Sequence, residues 1–187
     1  AQMVRFARTG GEINSIAIRI ARAASGKDKV AFCGYHGWHD WYLSANLNDS
    51  NNLNQHLMDG FFTSGVPKFL NNKFLPFKFN DINSLKKIIL QNKDVGVIKL
   101  EVFRNLEPNI KFLGDLRKIC DKEKIVLIFD ECTSGFRSNY GGIFQKFGIT
   151  PDIALFGKAL GNGYPITACV GKREVMESLN GTFVSST

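Results

Sequence analysis

Two hydrophobic patterns alternate along the chain after residue 81, and this alternation limits the fold more than any other feature. Apolar residues at helical spacing predict helices at Ile82–Gln91 and Leu113–Lys122. Continuous apolar runs predict strands at Val95–Leu100 and Ile125–Phe129. A strand that is apolar at every position has both faces covered, which is typical of parallel sheets with helices on either side. The sequence therefore predicts an α/β fold, with a mostly parallel sheet covered by helices on both faces.

Further elements extend this fold toward both ends of the chain. A helix is predicted over Glu12–Ala24, because apolar residues recur at helical spacing and Gly26 suits its end. The other predicted elements are a strand at Lys29–Cys33, loops with short elements over 46–80, strands at Ile153–Phe156 and Ile166–Val170, and a helix from Arg173. No repeat or low-complexity linker divides the chain, so residues 1–187 are predicted to form one domain.

The composition is that of a globular protein and argues against several classes. Of the 187 residues, 44% are hydrophobic and 22% are charged, which argues against disorder, collagen and coiled coil. The net charge of +7 is not concentrated in any run of like charges, so no nucleic-acid partner is expected. The longest apolar run, Ile125–Phe129, is far too short for a membrane span, so no membrane association is expected. Four widely spaced cysteines without a Cys-x-x-Cys pair favour the reducing cytoplasm.

Polar residues that follow the predicted strands are the first candidates for a site, since ligands of open parallel sheets bind beyond the carboxyl ends of the strands. Asp130 and Glu131 follow one strand, and Lys158 follows another, directly after Gly157. A lysine whose glycine neighbours let a ligand come close is a candidate nucleophile toward a carbonyl group. Taken alone, Lys158 also fits a solvated surface lysine, and Asp130 also fits a helix cap or an ion-pair partner.

The start of the first predicted helix is a candidate anion site. Its sequence, Thr9-Gly10-Gly11-Glu12, presents free N–H groups and the positive end of the helix dipole, which together suit a phosphate. A plain N-cap followed by a tight turn is the alternative interpretation. A P-loop ATPase is disfavoured, because Gly157-Lys158 is followed by Ala159 and the earlier glycine of that motif is missing.

An aromatic and histidine segment, residues 35–41, lies between these candidates. Tyr35 is placed to stack on a planar ring, although aromatic residues of a Phe-rich chain usually belong to the core. A metal site at His36, His39 and Asp40 is disfavoured, because Gly37 makes a helix doubtful there and no fourth protein ligand is apparent. We therefore expect no metal.

Together these features resemble the class III aminotransferases, which are pyridoxal-phosphate enzymes of fold type I. The strings that carry the resemblance are TGGEINSIAIRIAR at 9–22, GYHGW at 34–38, FDECTSGFR at 129–137 and PDIALFGKALGNGYP at 151–165. The third string is most similar to the branch that contains glutamate-1-semialdehyde aminomutase. The resemblance implies that residues 1–187 are the central part of the family's large domain, without its N-terminal segment and its C-terminal small domain. We therefore expect residues 1–187 to be an excerpt of a longer protein.

The resemblance also implies roles for individual residues. Lys158 would form a Schiff base with pyridoxal phosphate and then move protons as general base and acid. Asp130 would pair with the protonated pyridine nitrogen, which keeps the ring an electron sink. Gly10 and Gly11 would bind the phosphate through their backbone N–H groups.

Further positions match the family less closely. Tyr35 and Cys132 would cover the two faces of the cofactor ring, and Thr133 stands where the family contacts the ring hydroxyl with another side chain. Glu101 matches an active-site glutamate, although Val102 replaces the usual proline after it. Thr187 matches a threonine that reaches the phosphate of the neighbouring subunit, so the resemblance implies a homodimer with a shared active site.

The activity implied is the transfer of an amino group between an amino acid or amine and a carbonyl compound. Both the amino donor and the carbonyl acceptor would be small molecules, and their identity stays open, as does the choice between an aminotransferase and an intramolecular aminomutase. The alternative is a non-catalytic scaffold or a decayed fragment that retains the fold.

Overall fold

The structure is a computed structural model that describes residues 1–54, 56 and 58–185. Within these residues, seven strands form one sheet in the order β1-β7-β6-β5-β4-β2-β3. The strands are β1 (Met3–Ala7), β2 (Lys29–Cys33), β3 (Phe74–Pro76), β4 (Val95–Glu101), β5 (Val126–Asp130), β6 (Ile153–Phe156) and β7 (Thr167–Gly171). The helices are α1 (Gly10–Ser25), α2 (Asp40–Leu43), α3 (Ile82–Gln91), α4 (Ile110–Glu123), α5 (Phe144–Phe147) and α6 (Arg173–Met176). Short 3-10 helices lie at Ser44–Asn46, Lys68–Leu70, Lys158–Leu160 and Glu177–Gly181.

All strands of the sheet except β7 run in one direction. The strands β3, β2, β4, β5 and β6 pair in parallel, whereas β7 is antiparallel to both of its neighbours, β6 and β1. Because β1 is antiparallel to β7, it points the same way as β6. The segments that follow β1, β4, β5 and β6 therefore all begin at the carboxyl edge of the sheet, where open α/β sheets bind their ligands.

Helices cover both faces of this sheet. On one face α1 buries its apolar stripe against the sheet, and on the other face α3 and α4 do the same. The first cluster includes Ile13, Ala17, Ile20, Phe32, Ile128 and Leu155. The second includes Leu85, Leu113, Leu116, Ile98, Leu100, Leu127 and Phe129. This arrangement confirms the predicted α/β fold.

Local sequence signals set the ends of α1. Thr9 Oγ1 accepts a hydrogen bond from Glu12 N at 3.2 Å, and the Glu12 carboxylate accepts one from Thr9 N at 2.8 Å. These reciprocal bonds form a capping box, which satisfies donors that the helix itself leaves free. At the other end Gly26 adopts the left-handed conformation with φ 65°, which glycine tolerates without strain. The helix thus extends slightly beyond the predicted Glu12–Ala24.

Three elements differ from the expectation. The strand β1 was not predicted. Its side chains alternate between half-buried and exposed, and only Ala7 at its end is buried. The strand predicted at 166–170 corresponds to β7, which begins and ends one residue later. β7 is antiparallel to β6, because residues 157–166 are too few for the crossover that a parallel pair requires. The helix from Arg173 has only 4 residues before it tightens into a 3-10 turn.

No helix among residues 1–54, 56 and 58–185 has both the length and the apolar character needed to cross a membrane. The four cysteines of the chain are free and buried.

Candidate active site

The carboxyl edge of the sheet brings most of the predicted site residues together. Glu101 and Asp130 are the last residues of β4 and β5 and are partners in the register of these strands. Lys158 follows β6, the next strand, after a single intervening residue. The helix α1, which begins with Gly10 and Gly11, follows β1 at the same edge. The strand ends thus place two carboxylates, one amine and one helix N-terminus on one side of the molecule.

Asp130 is a buried anion at this edge, with a side chain that is 5% exposed. Its Oδ2 atom accepts hydrogen bonds from Lys99 Nζ at 3.0 Å and from His36 Nδ1 at 2.8 Å. Its Oδ1 atom accepts one from Cys132 N at 3.1 Å. Burial by itself raises the pKa of Asp130, but the charge of Lys99 and the hydrogen bond of His36 outweigh burial and hold this pKa well below its usual range. Asp130 is therefore ionised at neutral pH.

His36 lies between two acceptors, Asp130 Oδ2 and Cys33 O, with Nε2 at 3.1 Å from the carbonyl oxygen. Burial, followed by the positive charge of Lys99, lowers the pKa of His36, although Asp130 acts in the opposite sense. A neutral imidazole has one N–H group, and we assign it to Nδ1 because a carboxylate is a stronger acceptor than a carbonyl. His36 thus orients Asp130 through its hydrogen bond to Oδ2.

Lys158 has a left-handed backbone with φ 44°. Such a conformation costs energy in a residue with a side chain and persists only where the surroundings enforce it. The preceding Gly157 has little space for a side chain, because a Cβ there would lie 3.2 Å from Thr167 Cγ2 and 3.4 Å from Cys132 Sγ. The Lys158 side chain is exposed, and its Nζ donates a hydrogen bond to Thr133 Oγ1 at 2.8 Å. The amine is therefore fixed at the carboxyl edge and accessible to a ligand.

Thr133 connects Lys158 to Glu101. Its hydroxyl donates to Glu101 Oε1 at 3.2 Å while it accepts from Lys158. Glu101, with a side chain only 4% exposed, also binds Arg104 through two contacts of 2.7 and 3.0 Å, one on each carboxylate oxygen. Tyr35 N donates to Glu101 Oε2 at 3.0 Å. These hydrogen bonds raise the pKa of Arg104, so the Glu101–Arg104 pair is a charged unit beside the amine.

Gly34 permits this close approach of the loop to Glu101. Its φ of 102° lies in the region that favours glycine. A Cβ atom at position 34 would collide with the Cβ atom of Glu101. The glycine is therefore required by both its conformation and its surroundings.

The N-terminus of α1 offers free backbone donors. The N–H groups of Gly10 and Gly11 are the first of the helix and have no acceptor within it. A Cβ at Gly10 would meet nothing within 4 Å, whereas one at Gly11 would lie 2.5 Å from His39 Nε2. Thr167 Oγ1 donates to Thr9 O at 3.3 Å and links this N-terminus to the start of β7. Two N–H groups without an acceptor in the helix, together with the helix dipole, suit a phosphate.

Three other cofactor contacts stay predictions. The ring of Tyr35 is stacked on Phe61 at 6.0 Å, and the Arg104 guanidinium lies 5.3 Å from the ring centre, so stacking of Tyr35 on a bound ring is untested. Cys132 is buried near Gly157, and burial raises the pKa of its thiol. Thr187, expected to reach across to a neighbouring subunit, lies outside the described residues.

The histidines considered as metal ligands have other partners. His36 binds Asp130, whereas His39 Nδ1 lies 2.8 Å from Ser15 Oγ. Asp40 is exposed. In the part of the chain that the structure describes, no three His, Cys, Asp or Glu side chains are arranged to hold a metal ion.

Two basic residues of this edge were missed by the sequence-based analysis. Lys99 lies in a strand that was taken as uniformly apolar, and it is fully buried. Arg104 follows the same strand in a segment without a recognised motif. A signal for Lys99 existed, since strand alternation places residues 99 and 101 of β4 on one face, next to the candidate carboxylates.

The sequence of the entire chain, residues 1–187, matches the family model described as aminotransferase class-III. The chain belongs to the class III aminotransferase family. This is a family of pyridoxal-phosphate-dependent aminotransferases and aminomutases. The predicted family is therefore confirmed.

Individual class III relatives support this result. The chain is 38% identical over 194 residues to the 3-aminobutyryl-CoA aminotransferase of Cloacimonas acidaminovorans, covering 100% of the chain and 43% of that protein. It is 39% identical over 188 residues to the glutamate-1-semialdehyde 2,1-aminomutase of Methanocaldococcus jannaschii, covering 96% and 43%. A solved omega-transaminase from Sphaerobacter thermophilus matches the fold with a TM-score of 0.80 at 32% identity, over 94% of this chain and 42% of that one. The chain spans less than half the length of these relatives.

The residues at the carboxyl edge fit pyridoxal phosphate, the cofactor of the class III family. An aldehyde requires an accessible amine, which Lys158 provides. A pyridine nitrogen pairs with a carboxylate, and Asp130 Oδ1 receives only one hydrogen bond from the described residues. A phosphate requires N–H donors, which Gly10 and Gly11 offer. The chemistry of this set of groups is therefore complementary to the three polar ends of the cofactor.

Proposed function

We propose that this chain carries the cofactor-binding core of a pyridoxal-phosphate-dependent aminotransferase or aminomutase, which moves an amino group between an amino acid or amine and a carbonyl compound. The main support is the placement of the Lys158 amine and the Asp130 carboxylate at the ends of neighbouring strands, on one edge of the sheet. Pyridoxal phosphate, when bound, supplies an aldehyde that accepts the amino group and a ring that accepts the electrons of a substrate carbanion.

The chain's own residues have separate tasks in this proposal. Lys158 Nζ moves a proton to and from the substrate carbon as general base and acid. Asp130 Oδ1 holds the proton of the ring nitrogen in place, and His36 keeps the carboxylate in position through its bond to Oδ2. The first two N–H groups of α1 bind the phosphate and so fix the position of the cofactor ring.

Thr133 and Glu101 act on the amine side of the site. The Thr133 hydroxyl accepts a hydrogen bond from Lys158 Nζ and donates to Glu101, so it orients the amine without neutralising it. Arg104 neutralises Glu101 through the bidentate contact. In consequence the amine faces a hydroxyl rather than a bare carboxylate.

We also propose the wider setting of the chain. It corresponds to the central part of a fold type I large domain, and the active protein is a homodimer in which each active site takes residues from both subunits. The amino donor and the carbonyl acceptor are small molecules. Four free, buried cysteines support a reducing compartment, which we propose is the cytoplasm.

Borohydride trapping tests this function. The complete gene product is incubated with pyridoxal phosphate, reduced with borohydride, digested, and mapped by mass spectrometry. We expect one modified peptide, which carries Lys158. Modification scattered over many lysines instead would indicate a scaffold that retains the fold without a formed cofactor site.

A matched pair of variants makes the result specific. K158A should abolish the modified peptide and the visible absorbance of the bound cofactor. K124A is the control, because Lys124 is also an exposed lysine with a left-handed backbone, φ 54°, but lies at the end of α4. Equal loss in both variants, or in neither, would contradict the assignment of Lys158.

A further inference from the structure

Lys99 is a charged side chain inside an otherwise apolar strand. It is fully buried in β4, between Ile98 and Leu100. Burying a charge is costly unless the charge is paired and hydrogen-bonded. The partner is Asp130, whose Oδ2 atom lies 3.0 Å from Lys99 Nζ. The two side chains, 0% and 5% exposed, form a buried ion pair behind the candidate cofactor site.

The hydrogen bonds of Asp130 show which oxygen is left for a ligand. Oδ2 accepts hydrogen bonds from both Lys99 Nζ and His36 Nδ1. Oδ1 receives Cys132 N, and no other donor among residues 1–54, 56 and 58–185. Since a carboxylate oxygen accepts two hydrogen bonds, Oδ1 is the atom that can bind a ring nitrogen. Lys99 therefore lies on the opposite oxygen and does not touch the cofactor.

We propose that Lys99 is a positioning residue that shares the negative charge of Asp130 and thereby weakens the hold of this carboxylate on the protonated ring nitrogen of the bound cofactor. This inference rests on the proposed function. A buried carboxylate whose only cationic partner is the protonated ring attracts that ring with its full charge. A carboxylate paired with a buried ammonium belongs to a unit of zero net charge, and the ammonium repels the same ring cation. The ring nitrogen therefore holds its proton less firmly than it would beside an ionised Asp130 that lacked Lys99.

The other titratable groups around the pair do not supply this charge. Burial and the charge of Lys99 lower the pKa of His36, which disfavours a second positive charge beside Asp130. Burial raises the pKa of the Cys132 and Cys169 thiols, which leaves both uncharged. Among the described residues, Lys99 is thus the cation in direct contact with Asp130. Other ionisable groups at this edge include Glu101, paired with Arg104, and Lys158, on Thr133. Glu131, next to Asp130, is buried, and burial raises the pKa of its carboxyl.

Nitrogen NMR of the complete gene product, loaded with pyridoxal phosphate carrying ¹⁵N in the ring, measures the protonation of the ring nitrogen directly. We expect the K99M resonance to shift from the wild-type position toward that of a protonated pyridine. K99R retains the positive charge and should stay near the wild-type position. K29M is the matched control, since Lys29 is also a strand lysine paired with an aspartate, Asp94 at 3.1 Å, but at the opposite edge of the sheet.

The outcomes separate this inference from the proposed function. A wild-type protein without a reducible cofactor on Lys158 would overturn both. The role of Lys99 alone is overturned if the ring resonance is the same in wild type and K99M, including the case in which His36 takes up the missing charge. It is overturned equally if the K99M resonance moves toward neutral pyridine, because Asp130 has then taken the proton itself. If K99M does not fold, the wild-type resonance at pH 7.5 tests the inference. A position between those of neutral and protonated pyridine supports it. The position of fully protonated pyridine overturns it.

Discussion

His56 is expected to make the stability of the fold depend on pH between 4 and 6.5. Its Nδ1 donates to Gly34 O at 2.8 Å, at the start of the loop that carries Tyr35 and His36. Burial first, and the neighbouring His36 second, lower the pKa of His56 from 6.5 to about 4. The folded protein therefore disfavours the charged imidazole, and this loop depends on a histidine that stays neutral.

The size of the effect follows from the two pKa values of His56. Its pKa is lower in the folded than in the unfolded state, so its stabilising contribution is complete above pH 6.5 and is lost as the pH falls toward 4. Lowering the pH from 6.5 to 4.5 removes about 2 kcal/mol of unfolding free energy through this one group. The pKa of His36 is also lowered, so its contribution has the same sign.

Urea denaturation of wild type and H56N at pH values from 4.5 to 8 measures this contribution. The asparagine side chain provides an N–H group close to the position of Nδ1 but does not titrate. The difference at pH 8 gives the packing cost of the substitution. Below pH 6.5 the wild type should lose about 2 kcal/mol more than the variant. Parallel curves for the two proteins over this range would refute the argument from burial.

Three further changes test the loops and caps around the site by denaturant or thermal unfolding. G34A should destabilise the fold by about 3 kcal/mol or more, because the new Cβ would collide with Glu101 and the backbone has φ 102°; a loss below about 1 kcal/mol would contradict this. T9A should cost about 1 kcal/mol through the loss of the capping box, and T9S should recover most of it. T133V should cost about 1 kcal/mol, since Glu101 loses a donor inside the site, whereas equal stability of T133V and T133S would show that the hydroxyl contributes nothing.

Sequence patterns predicted the elements of this fold well where a single local signal was sufficient. The helix at 82–91 was predicted with its observed bounds from its apolar spacing, and the structure adds a side-chain cap by Asp81 at its start. The site residues Asp130 and Lys158 were predicted because both stand where a buried strand ends. The apolar run of β7 does not reveal its direction, and the prediction did not use the short segment 157–166, which is too short for the crossover of a parallel pair.

The contacts around Asp130 depend on which strands are neighbours. Alternation places Lys99 and Glu101 on one face of β4, but it does not show which strand lies beside them. Lys99 meets Asp130 across 31 residues of sequence, and His36 meets it across 94. Both contacts follow from the central placement of β4 between β2 and β5. A sequence-based analysis identified the carboxylate and the amine but not the cation behind the carboxylate, because the strand order decides that pairing.

The distribution of charge supports the proposal that Lys158, rather than another basic residue of this edge, is the reactive amine. A carboxylate partner stabilises the protonated form of an amine, and the protonated form is not a nucleophile. Asp130 is bound to Lys99, and Glu101 is bound to Arg104. Both carboxylates are thus already paired with basic residues, and the described contact of the Lys158 amine is the neutral hydroxyl of Thr133. The two ion pairs therefore leave the amine that is exposed to ligand free of any carboxylate partner among the described residues.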